Sequence, residues 1–262
     1  MLEQILADPS ALLIFALIGF AAQLIDGALG MAFGQISSTI LISIGVPPAV
    51  ASAGVHTAET FTTAVSGISH VAHKNVDWRL FFRVVIPGVI GGVLGAYVLT
   101  QISAATAKPV VLTYLTALGI YLFYRGVMHR HTERRPRVVS PLGLAGGFLD
   151  AAGGGGWGAI VTSHLLVQGG NPRKTIGTVN TAEFFLTVTI SATFLATLTL
   201  TGSQEEQELV LRAMIGLVLG GVLAAPFGAM IAKRVNPDRL LAMVGGLLTL
   251  TSGYALFRVL TM

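Results

Sequence analysis

Sliding the chain by 124 residues lays residues 19–63 over residues 143–187 without a gap. GFAAQLIDGALGMAFGQI sits over GLAGGFLDAAGGGGWGAI, and GVPPAVASAGVHTAETFTT sits over GGNPRKTIGTVNTAEFFLT. Sixteen of these 45 positions are identical, among them Asp26/Asp150, Gly30/Gly154, Gly34/Gly158, Pro48/Pro172, Thr57/Thr181 and Glu59/Glu183. The similarity fades afterwards and returns as GGVLGA (91–96) over GGVLAA (220–225). A chain built from two copies of one unit has to fold as two related halves.

The solvent around those halves is lipid. The chain is 53% hydrophobic and 11% charged, against about 25% charged for an average soluble domain. Runs such as 80–103 and 209–232 are nearly continuous apolar sequence, long enough to cross a hydrocarbon core roughly 30 Å thick. A β-barrel would instead need short alternating strands. The pattern predicts an all-α polytopic membrane protein: a first membrane repeat over 1–126, a basic linker over 127–140 and a second repeat over 141–262. With zero cysteines there are no disulfides, thiolate metal sites or iron–sulfur clusters, and no cofactor is expected. The start, MLEQILADPS, lacks the basic segment of a cleaved signal peptide, so the first apolar run is expected to be retained. The net charge of +4 suits loops that set membrane orientation; no nucleic-acid partner is expected.

Each unit opens with an apolar run, a Gly-rich break and a second run ending at a Pro-containing turn (11–48 and 141–172). Three plain spans follow, 49–71, 80–103 and 108–126 in the first unit and 174–200, 209–232 and 240–260 in the second. If the broken part leaves on the side it entered, each unit crosses an odd number of times and the halves are inverted. Loops near 74–83, 125–137, 173–174 and 233–239 then share one face and hold 13 of the 16 basic residues. The other face keeps Lys108, Arg212 and Arg258, with the acidic SQEEQE loop. Crossing once instead would divide the basic loops between both faces. The positive-inside rule therefore selects two inverted repeats, with a cytoplasmic linker and both termini outside. Two short full crossings would give the same parity as a re-entrant hairpin.

Four acids, Asp26, Glu59, Asp150 and Glu183, lie inside apolar sequence as two repeat pairs. A charged group at the bilayer centre costs at least about 2.5–3.5 kcal/mol on insertion scales. Accepting that cost at equivalent places in both halves points to one shared site. The segments DGALGMAFG and DAAGGGGWG follow the two aspartates. Small residues can serve close helix packing, which suits GGVLGA and GGVLAA. Four consecutive glycines disfavour helix by roughly 1 kcal/mol each, and irregular backbone at membrane depth persists only where protein or water satisfies it. Such broken helices aim N–H groups and a positive dipole end at anions.

A helix through Pro48–Ser69 places His56, Glu59 and Thr63 on one face, and Asn180, Glu183 and Thr187 repeat that face. Each glutamate can be read as a structural carboxylate that caps the broken helix or bonds a hydroxyl, or as a protonatable group beside a substrate path. A symmetric di-metal site fails because Asn180 stands where His56 would recur. His164 reads as a packed or hydrogen-bonded histidine, and Trp157, matched by Phe33, as a packing residue beside the Gly run. The candidate substrate-binding set is Gly27, Gly30, Gly34, His56, Thr57, Gly153, Gly154, Gly155, Gly156, Trp157, Asn180 and Thr181. Asp26, Glu59, Asp150 and Glu183 form the proton-coupling set.

The Gly-rich break after an Asp, the Pro turn and the TAE motif of the next helix, all present twice, resemble the TauE/SafE family of sulfite exporters, over about residues 11–260. The resemblance implies a secondary transporter, not an enzyme, exporting a small sulfur-containing anion such as sulfite or an organosulfonate across a bacterial inner membrane. It leaves the solute itself and the oligomeric state open, a homodimer included. No Lys or Arg lies deep in any span, so the anion must be held by N–H groups and hydroxyls, or travel with protons. A cation or proton channel using the four acids is the alternative. An intramembrane enzyme would need an asymmetric nucleophile or metal cluster, and these acids are duplicated instead.

Overall fold

In hydrocarbon each backbone N–H and C=O needs a partner within its own segment or a closed barrel, so the apolar runs close into helices. A computed structural model of the chain describes residues 10–29, 31–128, 136–201, 203–232 and 237–261, and among these there is no strand. The first copy supplies α1 (Ser10–Leu29), α2 (Phe33–Ser43), α3 (Pro48–Ala72), α4 (Trp78–Gln101) and α5 (Ala104–Met128). The second supplies α6 (Ser140–Gly153), a π-helical turn (Gly158–Thr162) running into α7 (Ser163–Val167), then α8 (Pro172–Thr201), α9 (Gln204–Ala232) and α10 (Pro237–Thr261). A broken pair followed by three long helices therefore occurs twice. Trp78–Gln101, Ala104–Met128 and Lys174–Leu198 are long and apolar enough to cross a membrane, judged by length and composition.

Local chemistry explains the helix ends. Pro48, Pro172 and Pro237 each open a helix, where a missing N–H costs nothing. Asp77 caps α4 by accepting from the N–H groups of Arg79 at 3.0 Å and Leu80 at 3.2 Å. The Asp77 N–H donates in turn to Thr178 Oγ1 at 2.8 Å, tying the α3–α4 turn to α8.

The halves are interleaved. α1 lies along α9 and α6 along α4, while α5 packs on α10 and α3 on α8. Each of these pairs joins one copy to the other, and α1/α9 is the counterpart of α6/α4. The GGVLGA and GGVLAA segments make the close approaches: a Cβ at Gly91 would run into Leu144 O, and one at Gly220 into Ala16 O. The packing role expected of these segments holds at Gly91, Gly92, Gly95 and Gly220. Phe15, Leu112, Leu115, Leu186 and Ile190 are fully buried, whereas Ile86, Ile90, Val110, Ile120, Val222 and Leu250 point outward. Such an apolar rim is the surface that a helical membrane protein presents to lipid.

Candidate functional site

The breaks are shorter than the sequence suggests. α1 runs through Asp26 and Gly27 to Leu29, and α6 runs through Asp150 to Gly153. Gly27 and Gly153 are thus helical, because one Gly costs only about 1 kcal/mol in a helix. The second chain break comes where three residues in succession take positive φ: Gly154 at 75°, Gly155 at 125° and Gly156 at 146°. In the first copy Ala32, the counterpart of Gly156, holds φ 116°, a region that residues with a Cβ rarely adopt. Gly30 lies outside the described residues.

Both aspartates bridge their breaks in the same way. Asp26 Oδ1 accepts from the Phe33 N–H at 3.3 Å, and Asp150 Oδ1 accepts from the Trp157 N–H at 2.7 Å. Each carboxylate thereby sits at the start of the helical piece that follows, where the dipole favours negative charge. The first free N–H of each half-helix, expected to meet a substrate anion, is taken by the chain's own carboxylate.

Asp150 also reaches across the copies. Its Oδ2 lies 3.1 Å from His56 Nε2, with both side chains buried. His56 Nδ1 is 2.8 Å from Ser52 O, and Ser52 Oγ donates to Ala151 O at 2.7 Å. With the Nδ1 proton given to Ser52 O, the Nε2–Oδ2 bond needs one further proton between the pair, carried by either group. Both ring nitrogens of His56 are occupied, so this residue is a tether and not an open ligand. Asn180 does not copy it; its Oδ1 accepts from Ser66 Oγ at 3.4 Å.

Around that tether the two breaks meet. Ser38 Oγ donates to Gly154 O. Gly34 and Gly155 touch backbone to backbone: a Cβ at Gly34 would lie 2.7 Å from Gly155 Cα and 2.9 Å from Glu59 Oε1. Glu59 is 6% exposed and Glu183 is partly buried. One turn beyond each, the Thr63 and Thr187 hydroxyls lie 3.4 Å apart. These are repeat-equivalent residues, so the contact between α3 and α8 is a meeting of like with like. Asp150, His56 and Glu59 are thereby gathered where the breaks meet, and the Thr63–Thr187 contact brings the Glu183 stretch of α8 alongside α3 there.

Three expected ligands have other duties. The Thr57 and Thr181 hydroxyls donate to Ala53 O and Gly177 O, each at 2.7 Å, so they can only accept and offer no proton to an anion. Trp157 is fully buried and its Nε1 donates to Val179 O at 3.1 Å. His164 does as expected: Nδ1 is 2.7 Å from Ile160 O and the ring stacks on Tyr121. Ser38, Ser52 and Tyr114 were missed by sequence reasoning. Tyr114 packs on Gly153 and Gly156 with its hydroxyl buried and without a hydrogen-bond partner. The only signal for the serines was a hydroxyl in an apolar run.

A cavity of about 980 Å³ opens between α3, α4 and α8, beside Gly67, Phe81, Phe82 and Thr181. Its walls are aromatic and aliphatic apart from Thr181 and Thr189. An anion there would lose its water without replacement, so the acid cluster, not this cavity, is the candidate site.

The arrangement, broken helices that meet beside paired acids, sits on a chain whose residues 15–255 match the sequence profile "Sulfite exporter TauE/SafE". The chain belongs to the TauE/SafE family. It is 41% identical over 253 residues to "Probable membrane transporter protein YtnM" of Bacillus subtilis (strain 168), covering 94% of this chain and 82% of that one. It is 25% identical over 111 residues to "Sulfite exporter TauE/SafE family protein 3" of Arabidopsis thaliana, covering 42% of this chain and 23% of that one. No solved structure matches. TauE/SafE proteins are membrane transporters, and this multi-pass helical chain is one of them.

Proposed function

We propose that this TauE/SafE protein is a secondary transporter exporting a small sulfur-containing anion, such as sulfite or an organosulfonate, across a bacterial inner membrane together with protons. The two copies are inverted about the membrane plane, with the 127–140 linker cytoplasmic and both termini outside. The observation that carries the reading is the contact of Gly34 with both Gly155 and Glu59, with the Thr63 and Thr187 hydroxyls meeting one turn beyond the glutamates. Those contacts support a site where both breaks and both TAE helices come together.

The anion is met there by the backbone N–H groups that the aspartate caps leave over, in the first turns after Phe33 and Trp157. Asp26 and Asp150 hold these turns in shape, and His56, Asn180, Thr57 and Thr181 position α3 and α8. Glu59 and Glu183 are the proton carriers. An anion about 6 Å from an ionised carboxylate is repelled by about 3 kcal/mol at an effective dielectric of 20. That is roughly a hundredfold in occupancy, so a proton enters the site with the anion and leaves with it. Among the described residues the basic side chain paired with these acids is His56, on Asp150.

The same four carboxyls favour a second reading, a cation or proton channel. Purified protein in vesicles separates the two. Sulfite flux that is driven by a pH gradient and indifferent to replacement of sodium or potassium supports the transporter; cation current without sulfite supports the channel.

A further inference from the structure

The copies are alike in backbone but not in filling. Gly92 of α4 and Gly221 of α9 hold matching places in GGVLGA and GGVLAA. A Cβ at Gly92 would meet Ile190 Cγ1 at 2.8 Å and Leu186 Cδ1 at 3.2 Å, and one at nearby Gly88 would meet the Trp157 indole at 2.7 Å. This wall is tight and apolar. A Cβ at Gly221 would meet nothing nearer than Phe33 at 3.5 Å, then Gln23 Oε1 and Thr62 Cγ2 at 3.8 Å. Under the 124-residue shift Phe33, Gln23 and Thr62 are the counterparts of Trp157, Gly147 and Leu186, and Ser66 is the counterpart of Ile190. At Gly221 the first-copy wall thus has room for one methyl and carries a buried amide, where the second-copy wall at Gly92 has none and is apolar.

Gln23 stands out within it. The side chain is 7% exposed, yet its Oε1 has no hydrogen-bond partner, and burying an acceptor in that state is unfavourable. It lies one helical turn before Asp26, the cap of the first break. We propose that passage to the acid cluster is one-sided, running between α1, α3 and α9 past Gln23 and Thr62, and that the Gln23 amide selects an oxyanion carrying one acidic proton. An amide offers an acceptor and a donor side by side. A singly protonated oxyanion matches both with its O–H and a neighbouring oxygen; a dianion leaves Oε1 unpaired. The selection half of this proposal rests on the anion-transport reading; the one-sided route does not.

The chain has no cysteine, so single Thr62→Cys and Leu186→Cys variants in membranes can be probed with 2-sulfonatoethyl methanethiosulfonate. The thiolate forms a mixed disulfide and releases methanesulfinate, read as a mass increase. Thr62→Cys should react at least about tenfold faster than Leu186→Cys, because the reagent needs an accessible thiolate. Ser66→Cys against Ile190→Cys is the second pair should either variant fail to fold. Equal rates, or faster reaction in the second copy, overturn the one-sided route. For selection, Gln23→Leu should lower bisulfite uptake about tenfold relative to the parent, the effect of one lost buried hydrogen bond; unchanged uptake removes Gln23 from that role. Were the parent to move no sulfur anion at all, the transport reading would fall while the labelling contrast still judged the route.

Discussion

Gly155→Ala should be among the most damaging single-methyl additions in this chain. Two independent penalties meet there. The residue holds φ 125°, and forcing a side chain into left-handed backbone costs roughly 1–2 kcal/mol. The added Cβ would also lie 2.5 Å from Gly34 C and Cα and 2.8 Å from Gln35 N. Those neighbours are backbone of the facing break and cannot rotate away, so overpacking adds about 1–3 kcal/mol. The sum, about 2–5 kcal/mol, is a large part of the 5–15 kcal/mol that holds a typical domain together. Gly45 is the control: it has φ 110° but nothing within 4 Å of a Cβ, so Gly45→Ala carries only the conformational penalty. Thermal unfolding of both variants in one detergent, read by monodisperse protein surviving on a sizing column, measures the difference. Gly155→Ala should melt well below Gly45→Ala. Equal melting temperatures would refute the claim that the two breaks touch.

Other outcomes follow from the same contacts. Ala32→Gly should raise the melting temperature, because it relieves a φ of 116° at a gain of about 1 kcal/mol; a loss of stability would show that the Ala32 methyl packs usefully. His56→Ala should destabilise by about 3–5 kcal/mol, the usual cost of leaving one member of a buried pair behind. In an Asp150→Asn background the same change should cost at least about 1 kcal/mol less, and identical costs would mean the two groups are uncoupled. Cysteines placed singly at Thr132 and Ser203 should label from opposite faces of the membrane, and labelling from the same face would remove the inverted arrangement.

What the sequence reveals and conceals divides along physical lines. The duplication, the helices and the buried acids are legible because a 124-residue shift and lipid solvation act on residue types directly. The extent of the breaks is not, since a lone Gly such as Gly27 remains helical and only a run at positive φ ends α6. Contacts between copies are hidden as well. Ser38 meets Gly154 across 116 residues and His56 meets Asp150 across 94, distances over which no local pattern speaks. The resemblance of TAE to a binding motif also overstates Thr57 and Thr181. Their hydroxyl protons go to backbone carbonyls one turn back, acceptors that every helix has and no sequence displays. Repeat symmetry misleads in a similar way at Trp157 and Phe33, whose equal positions carry unequal surroundings.

The central claim is that Glu59 and Glu183 carry the proton that accompanies the anion. Parent protein, Glu59→Gln, Glu183→Gln and the double variant, reconstituted in vesicles, can be compared for sulfite movement with and without an imposed pH gradient. Glutamine keeps the shape of the acid and its neutral form, so anion binding should persist. The parent should accumulate sulfite with the gradient, and the double variant should only equilibrate it, at the same rate with or without the gradient. Undiminished gradient-driven accumulation by the double variant would contradict the account and leave both glutamates with structural roles alone.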